Sequence, residues 1–318
     1  MERIVAALAV LCLINLFAFC ASPESKVDTS NARCEFEPGQ SLGPVVNSPV
    51  FDGSPTVSVD ETQLFFTSAR HPSAPRGQQD IFVATRPNEK ALWDAPVNAG
   101  GVINDSLGDD FSLRLSTDGK ALYFASNRSG GFGKGDLYVA TRASRSDPWS
   151  RAVNLGPLLN TDAFEAFPTP SADGLTLYFN RSTTFDSQDS DIWETSRASP
   201  DAPWTAPRKV SGSINSERAE FSPALSVDGN TMYFASSRGG SIELWVAKRA
   251  DRSSEWRAPE SLAAVNTPLG MTLAPFLSND QRSLYFMSAR PDTAGTACTP
   301  MTCFDRLDLY VAKVSCRR

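Results

Sequence analysis

Residues 121–141 read ALYFASNRSGGFGKGDLYVAT. Two runs that alternate apolar and polar residues, ALYFAS and DLYVAT, flank a glycine-rich loop, so the segment predicts two antiparallel strands joined by a turn. The first run recurs as QLFFTSAR at 63–70, TLYFNRST at 176–183, TMYFASSR at 231–238 and SLYFMSAR at 283–290, at spacings of 58, 55, 55 and 52 residues. The second recurs as DIFVATR from Asp80, DIWETSR from Asp191, ELWVAKR from Glu243 and DLYVAKV from Asp308. Ahead of each first run stands an extended stretch closing on a turn, such as SLRLSTDGK at 112–120, where Asp-Gly marks a tight hairpin. Behind the second run follow Trp93, Trp149, Trp204 and Trp256, each taken to mark a further strand. Each repeat therefore predicts four strands, a to d.

Four-stranded units of this length are blades of a propeller, in which each sheet buries its faces against its neighbours. The predicted fold class is all-β: a five-bladed β-propeller of four-stranded antiparallel blades. The last repeat lacks strand d, because the chain stops at Arg318. From Trp93 to Asn104, Trp149 to Asn160 and Trp204 to Asn215 is 11 residues, and from Phe36 to Asn47 is also 11. The N-terminal CEFEPGQSLGPVVN thus supplies the missing strand with phenylalanine in the tryptophan slot, and the ring closes by strand exchange, leaving no free edge at the seam.

The chain starts with an apolar run, IVAALAVLCLINLFAF at 4–19, too short for a comfortable span and preceded by Arg3, which reads as a signal peptide over 1–20. Cys20 is either a lipidated residue or the last residue of the leader. Residues 21–33 form a polar tether and 34–318 the propeller domain. Export to the periplasm, or to the outer membrane as a lipoprotein, follows, with the membrane touched only through that anchor. Cys34, Cys298, Cys303 and Cys316 remain, and an even number in an exported chain points to disulfides. Cys316, eight residues after Asp308, and Cys34, two before Phe36, occupy the positions that flank the c-to-d turn in complete blades. They are expected to bond in place of that turn, leaving Cys298 to pair with Cys303.

The segment GDDFSLRLSTDGKALYFASNRSGGFGKGDLYVATRASRSDPWSRAVNLGPLLNT resembles the TolB-like, WD40-like propeller repeats of bacterial envelope proteins, over about residues 34–316. The resemblance implies a binding or scaffolding module. Net charge −6, from 30 Lys+Arg against 36 Asp+Glu, offers no surface for nucleic acid, and a lone histidine, His71, excludes sites built from several imidazoles. Neither cofactor nor metal is implied. All six tryptophans and six tyrosines fall in repeat slots, which counts against a lectin or glycosidase needing free aromatic faces; Phe132, Phe185 and Phe304 lie in variable loops.

Asp52, Asp110, Glu165 and Glu220, with Thr272 in the fifth copy, precede the strand-a serines by six residues and are expected to ring one mouth of the central channel. They read either as a binding site for a cation or basic segment or as partners of nearby arginines. Arg70, Arg128, Arg238 and Arg290, closing strand b, are expected to staple the acid that opens strand c. Blade three breaks the pattern with Thr183 in that slot and Arg181 two positions earlier. Asn47, Asn104, Asn160, Asn215 and Asn266 are expected to fix the d-to-a crossovers. The resulting expectation is a monomeric, non-enzymatic propeller of the cell envelope that engages a protein or cell-wall component through its b-to-c and d-to-a loops. Amides in place of the four ring carboxylates should then weaken binding and spare the fold. The alternative is a carbohydrate-active enzyme with carboxylates at the channel mouth.

Overall fold

The computed structural model describes residues 33–70, 78–185, 187–267, 270–289 and 306–317. His71, Cys20, Cys298, Cys303, Arg290 and Phe304 lie outside them. Strands β1 (Arg33–Phe36) and β2 (Gln40–Ser41) precede the first full blade: β3 (Asp52–Val57), β4 (Gln63–Ser68), β5 (Asp80–Thr85) and β6 (Val97–Asn98). Blade two holds β7 (Asp110–Leu115), β8 (Ala121–Ser126), β9 (Asp136–Thr141) and β10 (Val153–Asn154). Blade three holds β11 (Phe164–Pro170), β12 (Thr176–Ser182), β13 (Asp191–Ser196) and β14 (Arg208–Lys209). Blade four holds β15 (Glu220–Leu225), β16 (Thr231–Ser236), β17 (Glu243–Lys248) and β18 (Glu260–Ser261). The last blade is β19 (Met271–Leu277), β20 (Ser283–Ala289) and β21 (Asp308–Arg317), completed by β1 and β2.

The chain is thus an all-β propeller of five blades, closed by its N-terminal segment. The seam strand comes in two pieces: β1 pairs with β21 over Phe36–Val314 to Arg33–Arg317, and β2 pairs with Tyr310 and Val311. A disulfide joins Cys34 to Cys316 across this seam, 282 residues apart in sequence.

Strand b departs from the alternation of apolar and polar residues expected of it, because it is buried on both faces. Leu64, Phe66 and their counterparts Leu122, Phe124, Leu177, Phe179, Met232, Phe234, Leu284 and Phe286 are fully buried, while Phe65, Tyr123, Tyr178, Tyr233 and Tyr285 are buried on the opposite face. Both faces of each sheet pack against neighbouring blades, so alternation toward solvent has no place to appear. The tryptophans differ from expectation. Strand d is only two residues long in each of the first four blades, and the tryptophan sits in the segment before it. There its ring covers the arginine that follows strand c: Arg86 on Trp93, Arg142 on Trp149, Arg197 on Trp204 and Arg249 on Trp256, at 4.0–4.3 Å. At the seam Val314 faces Phe36 instead, so an apolar pair replaces the cation–π pair.

Every strand a carries a bulge next to the channel. Its first residue has positive φ in all five blades, Ser54, Ser112, Phe167, Ser222 and Ala274. Proline follows in four of them, at Pro55, Pro168, Pro223 and Pro275. The bulge bends the inner strand and breaks the a-to-b register, as at Gly53/Thr56 and Phe221/Ala224.

Candidate functional site at the channel mouth

The four carboxylates Asp52, Asp110, Glu165 and Glu220 are fully buried. Each binds an arginine: Arg70 at 2.6 Å on Asp52, Arg128 on Asp110, Arg181 at 2.7 Å on Glu165 and Arg238 at 3.1 Å on Glu220. The same arginines donate to the carbonyls of Val46, Ile103, Leu159 and Ile214, the residues just before the crossover asparagines. The carboxylates also accept the backbone N–H just after those asparagines, from Ser48, Asp105, Thr161 and Ser216. Each carboxylate–arginine pair therefore ties the d-to-a crossover to strand a. In blade three, Arg181 reaches the same carboxylate because two residues along a strand keep the same face.

One expectation is corrected here. Among the described residues, Arg70, Arg128 and Arg238 staple the acid of strand a, not that of strand c. Asp80 and Asp136 instead accept hydrogen bonds from Asn98 and Asn154 of strand d, and Asp191 pairs with Lys209. Of the two readings of the ring carboxylates, pairing with nearby arginines is the one observed, and free carboxylates at the channel mouth are not. The four are saturated behind the channel wall, where a cation or basic segment finds no free oxygen to approach. The asparagines behave as read: Asn104, for example, accepts from Ile81 N–H and donates to Ile81 C=O, both within strand c of its blade. In the Gly130–Gly135 loop, Phe132 N–H and Gly133 N–H donate to the Asp136 carboxylate, and Lys134 N–H donates to the Ala163 carbonyl of blade three.

What faces the channel is a cavity of about 480 Å³ on the b-to-c side, walled by Phe51, Phe111, Phe164, Phe167, Phe185 and Phe221. Met271, Leu273 and Met287 extend the apolar wall. Phe111 stacks on Phe164 at 5.7 Å, and Phe185 from the b-to-c loop of blade three meets Phe164 edge-on at 5.6 Å. Uncharged polar groups punctuate the rings: Ser54, Ser112, Gln79, Asn180, Gln188, Ser190 and Ser241. Asn180 is 3% exposed, and its Oδ1 has no hydrogen-bond partner. No charged side chain stands among the described residues of this wall.

The expectation that aromatic faces are lacking is corrected as well. Tryptophan and tyrosine are consumed by the repeat, but phenylalanines at strand-a positions and in one loop provide the rings. Phe185 was legible as a loop residue. Phe51, Phe111, Phe164, Phe167 and Phe221 were hidden because nothing in one sequence distinguishes a channel-facing phenylalanine from a core one; the signal was their irregular occupancy of an otherwise repeated strand.

Asp308, opening the last strand c, stands apart from the saturated acids. It is half-buried, opposite Ser288 and next to Leu307, whose carbonyl accepts from Asp52 N–H. Burial first, and the Asp52 charge second, push its carboxyl up to about 6. Burial also raises Asp110 to about 6, against the opposing pull of Arg128. Among the described residues no group of His, Cys, Asp and Glu is arranged to hold a metal ion.

No protein-family model matches the chain, and no curated protein matches it by sequence. Solved structures do. An α-L-arabinofuranosidase from Podospora anserina, solved in complex with cellotriose, overlies 88% of this chain and 97% of its own at a TM-score of 0.55 and 10% identity. An endo-arabinase from Bacteroides thetaiotaomicron overlies 88% of this chain and 97% of its own at 0.54 and 14% identity. TolB from Acinetobacter baumannii overlies 85% of this chain and 56% of its own at 0.48 and 12% identity. The shared feature is the propeller. The expectation that the chain is no enzyme, drawn from its lone histidine and its repeat-bound tryptophans and tyrosines, is overturned by the arabinofuranosidase and endo-arabinase neighbours, whose propeller fold it shares.

Proposed function

We propose that the channel mouth binds an uncharged saccharide. The observation that carries this reading is the pairing of six phenylalanine rings with a buried, unpartnered Asn180 amide oxygen in one uncharged cavity. Sugar rings present C–H faces that pack on aromatic planes and hydroxyls that donate to such an acceptor, whereas a wholly apolar ligand would leave Asn180 unsatisfied. The volume of about 480 Å³ falls in the range of small-molecule sites and suits roughly two sugar rings. Glycoside hydrolases with the same fold, one of them holding cellotriose, support a saccharide as the ligand class. The Cys34–Cys316 disulfide supports an exported protein meeting glycans outside the cytoplasm.

Calorimetric titration with neutral arabino-, xylo- and cello-oligosaccharides tests the reading. At least one should bind the wild-type chain, and Phe164→Ala and Phe221→Ala should each weaken it by about tenfold or more while leaving the fold intact. Failure of every neutral oligosaccharide to bind, or equal affinity in both variants, would overturn it.

A further inference from the structure

The strand-a slot just after the bulge holds Thr56, Arg114, Thr169, Ala224 and Phe276 in the five blades. One large cation therefore stands among four uncharged residues. Arg114 is 7% exposed. Its Nη2 donates to the carbonyls of Pro275 at 2.8 Å and Pro223 at 3.4 Å, residues of blades five and four. Neither blade adjoins blade two in the ring, so the guanidinium reaches across the channel. Its third neighbour is the Phe276 ring, 5.1 Å away.

Nε and Nη1 of Arg114 have no hydrogen-bond partner, and no carboxylate among the described residues pairs with this side chain. Elsewhere in the propeller, the buried or half-buried arginines at the crossovers each meet a carboxylate. Carbonyl oxygens satisfy donors but do not neutralise a charge, and an uncompensated buried charge is costly. Burial is the cause that holds this guanidinium down to about 9, which leaves it cationic at neutral pH.

Next to it lies a small cavity of about 40 Å³, opening on the a-to-b turns and lined by Arg114, Thr117, Thr169, Ser226, Phe276 and Asn279 among others. That is the end of the channel opposite the phenylalanine-walled mouth. The space takes a monatomic ion with roughly one or two waters and excludes a sugar or a peptide.

We propose that Arg114 holds a monovalent inorganic anion of chloride size at this end of the channel. The anion supplies the missing counter-charge, accepts from the unpartnered N–H groups, and links the inner strands of blades two, four and five around one centre. This site is independent of the saccharide reading, which concerns the other mouth.

The test uses the full chain. Chloride is titrated against methanesulfonate at constant ionic strength while the unfolding temperature is followed, and crystals grown in bromide are examined for anomalous scattering. Wild-type protein should gain roughly 2–4 °C along a saturating curve, Arg114→Met should show no chloride dependence, and bromide should appear beside the guanidinium. Arg114→Lys should keep a weaker, right-shifted curve. A map with water alone at Arg114, or an equal chloride response in Arg114→Met, would overturn the proposal; should that variant fail to fold, the bromide map of the wild-type chain decides it.

Discussion

At Asp52, Asp110, Glu165 and Glu220 the side-chain oxygens are divided between an arginine and the backbone of the crossover, with no solvent contact. Charge-assisted hydrogen bonds of this kind hold geometry firmly, and removing one member strands a buried charge. Glu220→Gln should therefore lower stability by about 2–4 kcal/mol in chemical denaturation, with Arg238 left facing an amide. Replacing all four at once should unfold the protein, contrary to the expectation of a silent fold; native-like near-UV dichroism in that variant would contradict the staple. The same scale sets the pH response. Asp308 binds its proton more tightly when folded, so its contribution is fully present below about pH 3.9 and is lost as pH rises through about 6. Asp60 and Asp173, held near 2 by hydrogen bonds from Ser58 and Ser171 against the cost of burial, contribute above about pH 3.9 and lose it as pH falls toward 2. Asp308→Asn should flatten the decline in unfolding temperature between about pH 4 and 6. It should stabilise the protein at pH 7 by about 1 kcal/mol, a figure discounted for the solvent around this half-exposed group.

At the scale of elements, the seam is the place where the repeat is broken and repaired. Four blades close the outer edge with an arginine stacked on tryptophan; the fifth closes it with Val314 against Phe36 and a disulfide. β1 and β2 are held otherwise by short ladders, and the Phe36 ring meets Tyr233 of blade four edge-on at 6.1 Å. Cross-linking residues 282 apart constrains the unfolded chain by roughly 5 kcal/mol on chain-entropy grounds. Cys34→Ser with Cys316→Ser should lower the unfolding temperature and raise hydrogen exchange first in β1 and β2, ahead of the inner strands. Uniform loss of protection in all blades would show that the seam does not open separately.

Across the whole molecule, the ring separates two kinds of aromatic residue. Tryptophans sit on the outer side of the blades and in strand c, and none of them lines the channel-mouth cavity. Saccharide binding should therefore change intrinsic tryptophan emission very little while calorimetry registers heat, and a large emission shift would place the ligand elsewhere. The two ends of the channel also differ in chemistry. The b-to-c mouth is wide, aromatic and uncharged, whereas the a-to-b end is narrow and carries the Arg114 cation. A pseudo-symmetric array thus acquires one binding face because its loops and inner-strand residues depart from the repeat.

The repeat itself was fully legible in the chain. Alternating runs at near-constant spacing specify strands, and strands that cannot bury both faces alone specify a closed ring. The seam and its disulfide followed from the same arithmetic, because a covalent bond must sit where the missing turn would be. That Asp52, Asp110, Glu165 and Glu220 pair with nearby arginines was one of two readings open in the chain; which of the two acids flanking strand b meets Arg70 or Arg238 was decided only by the packed blade, because strand a and strand c both lie beside strand b. The cavity was not legible, since Phe51, Phe111, Phe164 and Phe221 read like any core phenylalanine until five bulged strands are set around one axis. Periodicity along the chain fixes which residues share a sheet. What faces the channel depends on how five sheets converge, and that relation exists only between residues distant in sequence.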